Sequence, residues 1–304
     1  MTDHKRKNRI IFLTGPTAVG KTEIAACLAK KINAEIISCD SMQVYKGLEI
    51  ISSQPSANLR KKIPHHLIAI AAPSKEYNVS DYRRSAIKKI KEIIGRGRIP
   101  LFVGGTGLYM SIVVDGIFNV KAQDSRLRKQ LYKEAKMHGS NFLHQRLAKI
   151  DPEAAQKIHP NDTRRIVRAL EVFEVTGKPI SLLQKQRKGI TDKYDVKIFC
   201  LDMPRSRLYK RIEARVDKMF QQGLVAEVKK LLGRRLSKTA AAAIGIRELK
   251  GYFTGAYDLN EARRQIIRNT CLYSKRQLTW FRKDKRIKWI KVGVKSGKSA
   301  VSYS

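Results

Sequence analysis

The chain has 304 residues, 42% of them hydrophobic, enough for one large domain or a main domain with a smaller companion. No apolar run is long enough to span a bilayer, and the polar, basic start has no signal-peptide pattern, so a cytoplasmic protein without membrane contact is expected. The 63 Lys and Arg against 26 Asp and Glu give a net charge of +37; a small phosphorylated metabolite needs only a few cations, so nucleic acid is the expected partner.

In chain order, residues 10–13 form an apolar strand that runs into Gly15-Pro16-Thr17-Ala18-Val19-Gly20-Lys21-Thr22, a complete G-x-x-x-x-G-K-T loop, and residues 22–31 continue as a helix. Strand, loop and helix in that order are the context in which this motif binds phosphates. Loop N–H groups and the positive end of the helix would face a diphosphate. Lys21 would neutralise its oxygens, and the Thr22 hydroxyl would reach Mg²⁺. Residues 34–38 read as a second strand, followed by Asp40. A carboxylate there can take a proton from an acceptor within reach, although an Asp also suits a turn or cap. Gln43 has an amide that can pair with an adenine edge.

Ser80 is expected to cap a helix with Tyr82, Ala86, Ile87, Ile90, Ile93 and Ile94 on one face, stopped at Gly95 and Gly97. Residues 99–103 are a short buried strand closing on Gly104-Gly105-Thr106. The Thr hydroxyl stands where many nucleotide hydrolases carry a metal-binding acid, and could bond a bridging oxygen without adding charge. Alternating strands and helices imply a parallel sheet with ligands at the carboxyl ends of its strands. The loop, Asp40 and Thr106 all fall at such ends.

From residue 124 to residue 188 the character changes. Residues 126–138, 142–150 and 162–176 read as helices, with Asp151-Pro152, His159-Pro160-Asn161 and Gly177-Lys178-Pro179 as turns between them. A helical insertion with its own small core is expected at 124–188, within a catalytic core formed by 1–123 and 189–304. Strand resumes at 194–202, and Pro204 opens a helical stretch continuing to Leu231-Leu232. Asn260 is expected to cap a long helix on which Arg264, Arg268, Lys275 and Arg282 share a face. Residues 287–292 read as a last strand, with a disordered polar tail after Val294. Cys27, Cys39, Cys200 and Cys271 form no C-x-x-C pair and read as reduced thiols in or near the core.

Together these motifs resemble the tRNA dimethylallyltransferase (tRNA isopentenyltransferase) family. The likeness rests on G-P-T-A-V-G-K-T, on D-S-M-Q-V-Y-K-G from Asp40 and on G-G-T-G-L-Y from Gly104. It continues through H-P-N-D-T-R-R-I-V-R-A-L-E-V from His159, T-G-K-P-I-S from Thr176, A-I-G-I-R-E-L from Ala243 and S-K-R-Q-L-T-W-F-R from Ser274. The resemblance implies a P-loop kinase-like α/β core with a helical insertion. It implies transfer of a dimethylallyl group from dimethylallyl diphosphate, with Mg²⁺, to N6 of the adenosine 3′-adjacent to the anticodon. Gly15 to Thr22 and Arg215 would hold the diphosphate. Asp40 would be the base, Thr106 would contact the bridging oxygen, and Lys21 would assist it. Asp40, Ser41, Met42, Gln43, Thr106 and Arg128 would meet the tRNA anticodon stem-loop, as would Arg164, Arg165, Ile166, Val167 and Arg168. The same holds for Ala243, Ile244, Gly245, Ile246, Arg247 and Glu248, and for Lys275 and Arg276. Ile246 occupies a position often aromatic in that family. Eukaryotic members often add a C-terminal zinc finger, so a compact bacterial form, acting as a monomer, is expected here.

Three other classes share parts of this pattern. A P-loop kinase of a small metabolite, which would bind ATP, needs neither the charge nor the Arg164-Arg165-x-x-Arg168 cluster. A prenyltransferase of free adenine nucleotide is also disfavoured by the charge. A non-enzymatic RNA-binding protein would not need both Asp40 and Thr106 beside one diphosphate.

Overall fold

The computed structural model describes residues 7–118, 124–295 and 298–302. The chain divides into two compact units, Met1–Val114 with Ile190–Ser304, and Asp115–Gly189. It leaves the first unit at Val114 and returns at Ile190, whose N–H donates to the Val114 carbonyl at 3.1 Å. Residues 1–6 of the basic N-terminal segment, and residues 119–123 beside the boundary drawn from the sequence, lie outside the described residues.

The first unit opens with β1 (Arg9–Thr14), α1 (Lys21–Lys31), β2 (Ala34–Ser38), α2 (Ala57–Lys62), β3 (His65–His66), α3 (Val79–Gly95), β4 (Ile99–Gly104) and α4 (Gly107–Val114). The second unit consists of α5 (Ser125–His138), α6 (Ser140–Ile150), α7 (Pro152–Lys157), α8 (Thr163–Thr176) and α9 (Ile180–Lys185). The first unit then resumes with β5 (Asp195–Asp202), α10 (Arg205–Gln221), α11 (Leu224–Leu232), α12 (Lys238–Ala241), α13 (Ile246–Phe253), α14 (Leu259–Phe281), β6 (Lys288–Lys295) and β7 (Lys298–Ser302).

Among the described residues the strands form one seven-stranded sheet in the order β3-β2-β4-β1-β5-β6-β7. All neighbours pair in parallel except β6 with β7. β2 is buried throughout and β1 everywhere except Arg9, as strands covered on both faces by helices must be. Phe12 and Phe102 stack at 4.4 Å between neighbouring strands in that core. The register sets the site: Ser38 lies opposite Val103, and Thr14 opposite Gly104. The chain therefore leaves β2, β4 and β1, three adjacent strands, at one level. The second unit packs its own core from Leu131, Leu143, Leu147, Ile166 and Leu170.

Several local expectations are corrected. α3 is capped by Asn78, not Ser80: the Asn78 side chain accepts from Ser80 N (2.9 Å) and Asp81 N (3.1 Å), while Asp81 accepts from Asn78 N (3.3 Å). This reciprocal box satisfies more orphan N–H groups than a lone serine can. α14 is likewise capped by Asp258, which accepts from Glu261 N at 2.7 Å, rather than by Asn260. Asp151-Pro152 is not a plain turn; Asp151 caps α7 by accepting from Ala154 N at 3.0 Å, and Pro152 occupies the first turn, where its missing N–H costs nothing. The helical stretch from Pro204 breaks at Gly223, which takes a left-handed φ of 95° between α10 and α11. The tail expected to be disordered supplies β7. Cys39 and Cys200 are buried, but Cys27 is exposed on α1.

Candidate active site

The phosphate loop lies between β1 and α1. Gly15 takes φ +145°, and a Cβ there would approach the Leu201 carbonyl oxygen to 2.9 Å, so only glycine lets the loop run over β5. Lys21 Nζ donates to the carbonyls of Gly15 (2.9 Å) and Pro16 (2.7 Å). From α10, Arg215 donates to the Thr17 hydroxyl at 2.7 Å. Two cations thus share one loop, and no carboxylate forms an ion pair with either among the described residues. Burial, then repulsion from Arg215, pushes the Lys21 pKa down to about 8, and burial also lowers that of Arg215. A lysine whose basicity a neighbouring arginine depresses gains from an anion placed beside it, and a diphosphate is such an anion.

Asp40 and Thr106 flank this loop. Cys39 N donates to the Val103 carbonyl (2.8 Å) and Thr106 N to the Cys39 carbonyl (3.1 Å), tying the ends of β2 and β4 together. Gly104 allows the tie, since a Cβ there would stand 2.1 Å from the Cys39 oxygen. Asp40 Oδ1 accepts from Met42 N (2.8 Å) and Gln43 N (3.4 Å), an Asx turn that fixes the carboxylate, while Oδ2 keeps no hydrogen bond from the described residues. The Thr106 hydroxyl accepts from Ser41 N at 3.1 Å. It donates in turn to Ser41 Oγ at 3.5 Å, a bond long enough to yield to a ligand oxygen.

α14 contributes groups to which the sequence assigns no role, although Gln277 and Trp280 lie in its S-K-R-Q-L-T-W-F-R segment. The Tyr273 hydroxyl lies near the Thr106 side chain, and burial together with the nearby Asp40 charge raises its pKa. Gln277, one turn on, accepts from Thr17 N and donates to the Gly105 carbonyl, both at 2.9 Å. Trp280 packs so closely on Gly107 that a Cβ there would meet its ring at 2.2 Å. The signal in the sequence is an i, i+4, i+7 series, Tyr273, Gln277 and Trp280, on the face opposite the exposed Arg264, Arg268, Lys275 and Arg282. Charge alone does not reveal it. Lys275, Arg276, Thr279, Trp280 and Lys283 line a shallow cavity of about 220 Å³. Arg276 also borders a second, of about 330 Å³, beside Ala243, Ile244 and Arg247.

Other residues expected to touch nucleic acid are engaged within the protein. Ser38 donates to Gln43 Oε1 (2.8 Å), and Gln43 Nε2 donates to the carbonyls of Ser52 (3.4 Å) and Ser53 (3.3 Å), so the amide expected to read a base is held by protein partners. Glu248 is buried; it accepts from Gly245 N (2.7 Å) and Asn269 Nδ2 (2.6 Å), which holds the turn entering α13. Ala243 and Ile246 are buried in the main core, and Ile166 and Val167 in that of the helical unit, whereas Arg247 is exposed. Arg128 grips the buried Glu171 through two bonds (3.1 and 2.8 Å), and Arg168 reaches the same carboxylate at 2.8 Å. Arg164 and Arg165 are exposed, Arg165 beside Asp162 at 3.3 Å. No described helix is long and apolar enough to cross a membrane.

Comparison with known proteins gives a consistent result. Residues 43–284 match the family described as IPP transferase, and residues 8–68 match isopentenyl transferase. A tRNA dimethylallyltransferase of Carboxydothermus hydrogenoformans is 49% identical over 95% of this chain and 93% of its own. A tRNA isopentenylpyrophosphate transferase structure from Bacillus halodurans is similar with a TM-score of 0.69 at 41% identity, covering 94% of this chain and 90% of that one. A eukaryotic dimethylallyltransferase acting on tRNA aligns with a TM-score of 0.80 at 30% identity, over 93% of this chain and 74% of its own.

Proposed function

Since the chain belongs to the IPP transferase family, we propose that it transfers a dimethylallyl group from dimethylallyl diphosphate to N6 of the adenosine 3′-adjacent to the anticodon of tRNA. The observation that carries this proposal is a loop holding two cations, Lys21 and Arg215, at the same level as a fixed carboxylate, Asp40, and a hydroxyl donor, Thr106. The net charge of +37 supports a polyanionic acceptor.

The chemistry follows from this placement. The allylic carbon–oxygen bond breaks as the N6–carbon bond forms, and negative charge grows on the departing diphosphate. Lys21, Arg215 and the loop N–H groups face that charge, while Thr106 donates to the bridging oxygen. The amine proton passes to the free Oδ2 of Asp40, a contribution of about 10²–10⁴ in rate. The adenosine leaves its stack to enter the pocket.

The Thr22 hydroxyl, in the first turn of α1, makes no hydrogen bond to the described residues, and no cluster of acidic or His/Cys ligands is found among them. One hydroxyl together with substrate phosphates and water fits Mg²⁺, a cation that rarely takes an all-protein cage. When bound, it would neutralise diphosphate charge. Arg164, Arg165, Arg247, Lys275 and Arg276 supply exposed charge for the anticodon stem-loop. The protein would act as a monomer in the cytoplasm.

The test is incubation with labelled dimethylallyl diphosphate and tRNA, in parallel with ATP and small acceptors. Label should enter tRNA at a single adenosine. Phosphorylation of a small acceptor without prenylation of any tRNA would overturn the assignment.

A further inference from the structure

Gln277 is buried, 6% exposed, on the inner face of α14. Its carboxamide uses both ends: Oε1 accepts from Thr17 N and Nε2 donates to the Gly105 carbonyl, each at 2.9 Å. Thr17 belongs to the loop that ends in Lys21, and Gly105 immediately precedes Thr106. The amide therefore spans the two loops that act on the same departing oxygen. Gly105 is shaped to this contact, since a Cβ there would stand 2.0 Å from Nε2. One acceptor and one donor on a single planar group of this length define a carboxamide; a carboxylate cannot donate and a thioether does neither strongly. The Thr17 N–H is also spent on Gln277, which leaves Lys21 and the later loop N–H groups to hold the diphosphate.

We propose that Gln277 is a positioning residue for prenyl transfer. It fixes the separation between the phosphate loop and the Thr106 turn, so that Lys21 and Thr106 meet one bridging oxygen together. The inference rests on the transferase assignment above. Its energetic basis is orientation: a misplacement of about 1 Å by a residue outside the chemistry costs on the order of 10²-fold in rate.

Two variants test it. Gln277→Glu keeps the volume and the Thr17 bond but turns the Gly105 donor into an acceptor; Gln277→Met removes both bonds. Each should lower the single-turnover rate of transfer about 10–10²-fold. Dissociation constants for dimethylallyl diphosphate and tRNA should stay within about threefold, because the phosphate and RNA contacts lie on other residues. The deciding measurement is a double-mutant cycle with Thr106→Ala. If Gln277 acts through Thr106, Gln277→Glu should cost less than about threefold in the Thr106→Ala background, whereas independent effects multiply to within about twofold. A multiplicative cycle, or an equal fall in rate and in both affinities, would overturn the proposal. A wild-type protein that prenylates no tRNA would instead remove the transferase assignment, so the two failures are distinct. If Gln277→Met does not fold, Gln277→Glu, which keeps the side-chain volume, gives the same cycle.

Discussion

The two units treat their charged side chains in opposite ways. In the helical unit, Glu171 is fully buried, and Arg128 and Arg168 converge on it, so the charges are satisfied within the protein. In the α/β unit, Lys21 and Arg215 share the phosphate loop with no carboxylate among the described residues in an ion pair with either, and Lys21 loses basicity through burial and then through repulsion from Arg215. The first arrangement is a staple that holds α5 against α8. The second is a pair of cations suited to an anion. Arginine near a nucleic-acid-binding motif therefore does not by itself identify an RNA contact; what matters is whether a carboxylate has already claimed it.

The largest effect expected is at Asp40. Asp40→Ala should slow single-turnover transfer by about 10²–10⁴ while leaving tRNA affinity within a few-fold, since it removes the proton acceptor and little binding surface. Near-normal turnover across pH would end its assignment as the base. The next pair addresses the contrast directly. Arg215→Met should weaken diphosphate binding by about 10–10²-fold, as removal of a charge-assisted contact does, without lowering the unfolding midpoint of the ligand-free protein, because a half-buried cation beside Lys21 is removed. Glu171→Ala should do the reverse. It leaves two partly exposed arginines without their shared partner and should cost about 2 kcal/mol of stability, with diphosphate affinity unchanged. Calorimetry and denaturant unfolding on both variants would show whether each charge group belongs to the class assigned to it.

A smaller effect follows from pH. Lys21 has its folded pKa lowered to about 8 in the ligand-free protein, and a bound diphosphate favours the protonated form. Below pH 8 the free lysine already carries its proton, so affinity should not depend on this group. Above pH 8 binding must take up a proton, and affinity should fall about tenfold per pH unit. Titration calorimetry in two buffers of different ionisation enthalpy would register that uptake. Its absence at pH 9 would mean that Lys21 is not the cation facing the diphosphate.

The smallest effect is in salt dependence. Removing one cation that meets a phosphate should flatten the slope of log affinity against log salt by about 0.7–0.9. Arg164→Gln and Arg165→Gln, on exposed residues, should show this change in tRNA binding. Arg128→Gln should show less, because Glu171 already balances its charge. Equal slopes for all three would erase the distinction drawn between stapled and exposed arginines.

Much of the chain is legible in its amino-acid sequence. The phosphate loop, β2 as residues 34–38, β4, and the helices α5, α6 and α8 follow from apolar spacing and from Gly, Pro and Asp punctuation. Among the elements that escape such a reading, α2, α7, α9, α12 and the two-residue β3 are short and carry too few turns for a periodic stripe. Helix starts shift by two residues at Asn78 and Asp258, because adjacent polar residues all qualify as caps and only the backbone geometry chooses among them.

The site divides in the same way. Local sequence determined what depends on neighbouring residues: a G-x-x-x-x-G-K-T turn between a strand and a helix, an acid and a hydroxyl at strand ends, and a basic composition. Only the tertiary structure decided what depends on residues far apart in the chain. The parallel register set level the strand ends from which Asp40, Thr106 and the phosphate loop follow, and Gln277 came to rest 260 positions from its hydrogen-bond partner Thr17. Glu171 took hold of Arg128, 43 residues away. Hydrogen-bond partners at such separations are chosen by how strands and helices pack, and a single sequence carries no local signal of that choice.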